Sequence, residues 1–269
     1  MMDTAQGIIL GLIQGLTEFL PISSSAHLVI VQHLLGLKEP MLLFYIILHL
    51  GTLGAVIAVF WPDLKKLWQE ELLPVVEGFN SNPGFRSALC RARMTILILL
   101  ATIPTGLIGY LFKKPLESLF TSPHAVGFAL CLTGTLLWFT KYCKKKDGTI
   151  KTYQALLIGL AQGIAITPGI SRSGTTIATG LFLGLSGELA ARFSFLLSIP
   201  AILSAVSLEL SSSTISTHTP FLPTLLGTLT AALMGYLALR YLLKVISHGK
   251  LYHFSYYCWL LGALALVLL

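Results

Sequence analysis

Glu18, Ser24 and His27 stand close together in an otherwise apolar stretch, and Arg172 sits between Ser171 and Ser173 in a second one. His27 follows Ser24 by three residues, so the two share a face if a helix has begun there. That spacing permits a pair in which the imidazole activates the hydroxyl. It also permits His27 acting alone as nucleophile or acid. A single histidine on an apolar face is more ordinarily a structural hydrogen-bonder. Glu18 follows Gln14 by four residues, and a carboxylate beside an amide oxygen suits a divalent cation such as Mg2+ or Ca2+. Arginine keeps its proton wherever it is placed. Arg172 therefore needs an anion: either an ion pair with Glu18 or, given the serines around it, a phosphate. His49, in Leu48-His49-Leu50-Gly51-Thr52, is open to either reading, site wall or interface.

These residues lie in two copies of one phrase. Residues 11–26 read GLIQGLTEFLPISSSA and residues 159–174 read GLAQGIAITPGISRSG. Gly11/Gly159, Gln14/Gln162, Gly15/Gly163, Ser23/Ser171 and Ser25/Ser173 are identical at a constant offset, and Arg172 replaces Ser24. Both copies put polar residues inside an apolar surround, and their differences carry the candidate reactive groups.

The chain of 269 residues is 55% hydrophobic and 11% charged, with a mean hydropathy of +0.81. Soluble domains carry about 25% charged residues, so this composition excludes a water-facing globule and predicts an integral membrane protein. The start of the chain lacks the charged region and cleavage site of a removable leader. Six segments reach the about 20 apolar residues a span needs: 41–61, 91–112, 122–140, 188–208, 221–243 and 252–269. Segments 5–36 and 150–187 are apolar but broken by Pro21 and Pro168 among serines and glycines. Both read as re-entrant hairpins, tolerated at depth only where protein or a water-filled cavity surrounds the turn.

Basic residues orient the spans. Lys65, Lys66, Arg86, Arg91 and Arg93, the group Lys141, Lys144, Lys145, Lys146 and Lys151, and the group Arg240, Lys244 and Lys250 fall on one side. Lys113 and Lys114 alone fall on the other, where the loop 209–220 carries no basic residue. The richer side is expected to be cytoplasmic. The first hairpin then opens outward and the second inward. The predicted fold is an all-α polytopic membrane protein with an inverted-topology repeat. Residues 1–140 and 150–269 each form a re-entrant hairpin followed by three spans. Such halves place binding sites at their interface near the midplane.

The second helix of each hairpin begins at Ser23-Ser24-Ser25 or Ser171-Arg172-Ser173. A helix start offers unpaired N–H groups and partial positive charge, and serine is a favoured cap. Two such starts meeting in a dry place suit a phosphate. Other features have plainer readings. Gly51, Gly54, Gly106, Gly109, Gly127, Gly134, Gly180, Gly184 and Gly227 read as helix-packing positions, and the four tryptophans as interface anchors. His33, His124, His218, His248 and His253 read as interfacial. The four scattered cysteines have no metal-ligand spacing, and the lysine run 141–146 marks the cytoplasmic side, with contacts to anionic lipid as the alternative.

At Gln14-Gly15-Leu16-Thr17-Glu18-Phe19-Leu20-Pro21-Ile22-Ser23-Ser24-Ser25-Ala26-His27 and Pro168-Gly169-Ile170-Ser171-Arg172-Ser173-Gly174-Thr175-Thr176 the chain resembles the undecaprenyl-pyrophosphate phosphatases, the bacitracin-resistance type of membrane phosphatase. The resemblance covers essentially the whole chain. It implies hydrolysis of undecaprenyl pyrophosphate to undecaprenyl phosphate and inorganic phosphate, recycling a carrier lipid for cell-wall synthesis. It implies dependence on a divalent cation, Mg2+ or Ca2+, and a site open to the periplasmic face of a bacterial inner membrane. Glu18, Ser24, His27 and Arg172 fall on the family's functional positions, with Gln14, Ser23, Ser171, Ser173 and Thr176 around them. Many members have Glu at the position of Gln14, and many have Gly at the position of Ala26. The expected partners are the prenyl pyrophosphate lipid and the surrounding membrane lipids, without nucleic acid, and a homodimer is left open. The rival reading is a lipid-phosphate flippase or anion transporter on the same inverted repeat. A transporter has no need of a nucleophile and base beside its clamp.

Overall fold

The structure, a computed structural model, describes residues 2–37, 42–78, 91–112, 115, 119, 122–143, 148–210 and 220–268. Arg86, Cys90, Lys113, Lys114, Lys144, Lys145, Lys146, His218 and most of the loop 209–220 lie outside the described residues. The described chain is helical throughout. Helices α1 (Thr4–Phe19) and α2 (Ser24–Leu34) are followed by α3 (Leu42–Val59) and α4 (Trp61–Lys66). A π-helical turn then leads into α5 (Leu73–Gly78), α6 (Arg93–Leu111) and α7 (Pro123–Phe139). The second half holds α8 (Thr152–Ile164), α9 (Arg172–Phe182), α10 (Gly187–Leu210), α11 (Phe221–Ser247) and α12 (Phe254–Leu268).

Five helical stretches are long and apolar enough to cross a membrane, starting at Arg93, Pro123, Gly187, Phe221 and Leu251. The expected span 41–61 differs: its helix bends by 71° at Phe60 into the stretch Trp61–Glu77, and only the bent pair together makes a sixth. Trp61 and Trp68 on that bent arm are exposed, as interface anchors would be. Trp138 and Trp259 instead pack on each other and on Tyr256. The whole is a polytopic membrane protein of α-helices.

Small residues decide which helices touch. In α1, Gly7, Gly11, Gln14, Gly15 and Glu18 recur at helical spacing on one buried face. That face lies on the stripe Gly227, Ala231 and Gly235 of α11. A Cβ added at Gly11 would sit 2.1 Å from the carbonyl oxygen of Gly227. In the second half, α8 lies on α6 in the same manner, and a Cβ at Gly159 would sit 2.1 Å from the carbonyl oxygen of Ala101. Backbones this close admit only glycine, and in lipid such contact replaces the missing hydrophobic drive between helices. The first helix of each half thus packs on a helix of the other half. Helices α7 and α12 pair likewise through Gly127, Gly134 and Gly262.

Of the glycines expected to pack, Gly51, Gly127, Gly134, Gly180 and Gly227 have crowded surroundings, and Gly109 meets only the end of Ile166. Gly184 adopts φ +83 in a turn. Gly54 and Gly106 are corrections: a Cβ at either would meet nothing within 4 Å.

Candidate functional site

Both hairpins break where the repeat phrase predicts. In the first, α1 ends at Phe19, and Ser23 caps α2 by accepting from the Ala26 N–H (3.4 Å). In the second, Ser171 caps α9 by accepting from the Gly174 N–H (3.1 Å). The two turns touch. The Gly169 N–H donates to Ser25 Oγ (3.3 Å), Ser173 Oγ donates to the Leu20 carbonyl (3.4 Å), and a Cβ at Gly174 would lie 3.1 Å from Pro21.

Glu18 is the focus of this junction. It is 6% exposed, and four side chains converge on its carboxylate. Ser24 Oγ donates to Oε2 at 2.6 Å, Gln14 Nε2 donates to Oε2 at 2.9 Å, and His49 Nε2 lies 3.4 Å from Oε2. Arg172 forms an ion pair with Oε1. The pairing of Arg172 with Glu18, weighed against a phosphate clamp from sequence, is therefore formed in this structure. Arginine and carboxylate come from opposite copies of the repeat, so the pair ties the halves together.

His27 is elsewhere. It is buried, with Nδ1 donating to the Ser23 carbonyl (2.8 Å) and Nε2 accepting from the Tyr257 hydroxyl (2.7 Å). Its ring stacks on Tyr257. The Ser24–His27 pair that the spacing permits is not made: both ring nitrogens are taken, and Glu18 receives the Ser24 hydroxyl instead. What His27 does here is hold the Ser23 carbonyl. Ser23 has φ 64, left-handed for a residue with a side chain. Strain of this kind persists only where the surroundings over-determine it.

A cavity of about 570 Å³ opens beside Glu18. Glu18, Ser23, Ser24, Ser25, Ser171 and Arg172 form its polar end, with His49 and Gln162. The other expected residues stand behind the wall. Gln14 is fully buried behind Glu18. Thr176 donates to the Arg172 carbonyl (2.8 Å) and meets Ser194, and Ser173 lies against Ser171 (3.3 Å). The interfacial role is not the one His49 takes: it reaches the cavity, its Nδ1 donating to the Tyr45 carbonyl (2.7 Å).

Sequence reasoning missed Gln162 as a wall residue, although its identity with Gln14 was a signal. It missed Tyr257 and Thr133, for which the sequence offered none. Thr133 accepts from the Ser171 N–H (3.2 Å) and donates to the Gly169 carbonyl (3.0 Å), fixing the second turn from α7.

For a divalent cation the donor set is sparse. Among the described residues, no three His, Cys, Asp or Glu side chains converge. Gln14 Oε1 and Gln162 Oε1 are buried acceptors without a partner. One carboxylate with spare amide oxygens fits the mode in which Mg2+ takes one or two carboxylates and draws its remaining ligands from substrate phosphates and water.

A family profile described as Bacitracin resistance protein BacA matches residues 7–264. A protein of Desulfatibacillum aliphaticivorans named undecaprenyl-diphosphatase is 45% identical, over 97% of this chain and 96% of its own length. One of the same name from Alkaliphilus metalliredigens is 44% identical over 99% and 98%. Another, from Methanobrevibacter smithii, is 44% identical over 97% and 96%. With both repeat turns and every expected site residue inside the matched region, the chain belongs to the BacA family of bacitracin resistance proteins.

Proposed function

We propose that this chain hydrolyses undecaprenyl diphosphate to undecaprenyl phosphate and inorganic phosphate, with the diphosphate head held in the cavity beside Glu18. The name shared by its full-length relatives supports the substrate. The observation that carries the chemistry is the 2.6 Å hydrogen bond from Ser24 to Glu18, whose other oxygen faces Arg172. A hydroxyl beside a carboxylate is an activated nucleophile, and an arginine beside it can receive phosphate in place of the carboxylate.

In this reading, Arg172, Ser23, Ser25, Ser171 and the two helix starts bind the diphosphate. Ser173 and Thr176 hold Ser171 and Arg172 in position from behind. Ser24 Oγ attacks the terminal phosphorus and its proton passes to Glu18 Oε2. The anhydride P–O bond breaks, and undecaprenyl phosphate leaves with the electron pair. Water then hydrolyses the phosphoserine, taking the phosphoryl group as inorganic phosphate and restoring the serine proton. Positioning and charge stabilisation supply most of the rate in such transfers. Glu18, with Gln14 beside it, would hold a divalent cation, Mg2+ or Ca2+, which when bound neutralises charge on the diphosphate. His27 keeps Ser23, and with it Ser24, in place.

The same reading makes the halves 1–140 and 150–269 inverted copies, each a re-entrant hairpin and three spans. The reciprocal packing of α1 on α11 and of α8 on α6, at equivalent glycines, supports it. The basic loops then face the cytoplasm of a bacterial inner membrane, and the site opens to the periplasmic side.

Detergent-purified protein given a prenyl diphosphate and Mg2+ is expected to release inorganic phosphate. Release should stop with a chelator and fall at least a hundredfold in Ser24→Ala. Tight lipid binding with no release would point instead to a flippase or anion transporter.

A further inference from the structure

We propose that His49 is a ligand of the divalent cation beside Glu18 and tilts its choice from Ca2+ towards Mn2+. This rests on the reading above, in which Glu18 and Gln14 hold that cation. His49 Nε2 lies 3.4 Å from Glu18 Oε2, and both side chains line the cavity. The imidazole comes from α3 and the carboxylate from α1. The His49 side chain is 32% exposed, so an ion in the cavity can reach it.

The hydrogen bonds of the ring fix what Nε2 offers. Nδ1 lies 2.7 Å from the Tyr45 carbonyl, which can only accept, so Nδ1 carries the proton. In the neutral ring Nε2 then presents a lone pair. The Glu18 carboxylate presents lone pairs as well. Two acceptors facing each other repel unless positive charge lies between them. Arg172 already answers the charge of Glu18 through Oε1, so an imidazolium is not needed for that. A dication satisfies both acceptors at once, and the diphosphate that comes with it balances its charge.

The surroundings match such an ion. Two ligands held about 2.1 Å from one ion, at right or tetrahedral angles, stand about 3.0–3.4 Å apart. The observed 3.4 Å falls at the end of that range. Histidines that bind metals give their other N–H to a carboxylate, water or backbone carbonyl, which fixes ring and tautomer. The Tyr45 carbonyl does this for His49. Gln14 Oε1, one helical turn before Glu18, is a buried acceptor without a partner. The donor set is then one imidazole nitrogen with oxygens from carboxylate, amide and substrate phosphate. Mg2+ and Ca2+ are bound through oxygen, whereas imidazole favours first-row transition metals. His27 cannot supply that nitrogen, because both of its ring nitrogens are taken.

The test is pulsed electron paramagnetic resonance of Mn2+ added to tag-free protein in detergent, with methylenediphosphonate as the diphosphate probe. A directly bonded imidazole nitrogen modulates the Mn2+ spin echo. Wild-type protein is expected to show that 14N coupling, and His49→Gln to abolish it. His33→Gln, exposed on α2 and away from the cavity wall, should keep it. Wild-type protein carrying 15N-labelled histidine should exchange the 14N pattern for the 15N one, which covers a His49→Gln chain that misfolds. Turnover reads the choice of metal: the ratio of kcat/KM with Mn2+ to kcat/KM with Ca2+ should fall about fivefold or more in His49→Gln. No nitrogen coupling in the wild type, coupling that survives His49→Gln, or an unchanged metal ratio overturns the ligand and leaves the diphosphatase intact. Coupling through His49 in a protein that releases no phosphate with any cation upholds the ligand and defeats the diphosphatase.

Discussion

The two hairpin turns began as copies and now do different things. The first turn carries Glu18 and Ser24 and forces Ser23 to φ 64, held by His27 and, through it, by Tyr257. The second keeps its capping serine at an ordinary φ of −73 and puts the left-handed residue at Gly169, where φ +93 is free of side-chain strain. It carries Arg172 in place of a reactive hydroxyl. Shared residues of the phrase build the frame: the glycines that seat each helix, the glutamines in and behind the cavity wall, the serine caps. Unshared residues supply the proposed chemistry, and a left-handed serine appears only in the copy that carries the proposed nucleophile.

The comparison breaks most visibly at the Glu18–Arg172 pair. Arg172→Lys is expected to lower kcat/KM at least a hundredfold, about 3 kcal/mol, because a single ammonium cannot span phosphate as the guanidinium fork does. Steady-state kinetics would measure it, and near-normal turnover would rule out the clamp. Next come the equivalent glycines. Gly11→Val and Gly159→Val should each cost about 1–3 kcal/mol or more, since the new side chain meets backbone. Melting in detergent should show similar losses for both; a large loss from one and none from the other would undo the structural equivalence of the copies.

The next smaller effect is at His27. His27→Ala should reduce kcat about tenfold with little change in KM, and Tyr257→Phe should act through the same contact. The double variant should then lose little more than His27→Ala alone; additive losses would mean His27 has a role beyond holding Ser23. The smallest effect sharpens the strain argument. Ser23→Gly trades a weak cap for relief of the left-handed φ and should raise stability by about 1 kcal/mol. Ser171→Gly has no strain to relieve and should lower it by a few tenths. Equal effects would mean the turns do not differ in strain.

Much of this was legible in the sequence. The breaks at Pro21 and Pro168, the helix starts at Ser24 and Arg172 and five spans follow from local apolar length and capping chemistry. The bend after Val59 was not legible, because residues 41–61 are apolar apart from His49 and Thr52, and hydropathy does not register direction. His27 misled as Ser24's partner because helical spacing allows the pair. A carboxylate from the preceding helix took the hydroxyl first, and a tyrosine more than two hundred residues away took the histidine. Gly54 and Gly106 looked like packing positions because a glycine in sequence carries no record of what faces it.

Composition and repeat by themselves determined that the chain lives in a membrane, that it holds two copies of one phrase at residues 11–26 and 159–174, and which candidate groups differ between the copies. These are properties of residue type and local order. Only the tertiary structure decided who partners whom. Glu18 met Arg172 and Ser24, and His27 met Tyr257. Those contacts depend on how helices distant in sequence lie against one another, and that is set by the sum of many small packing contacts that no single motif encodes.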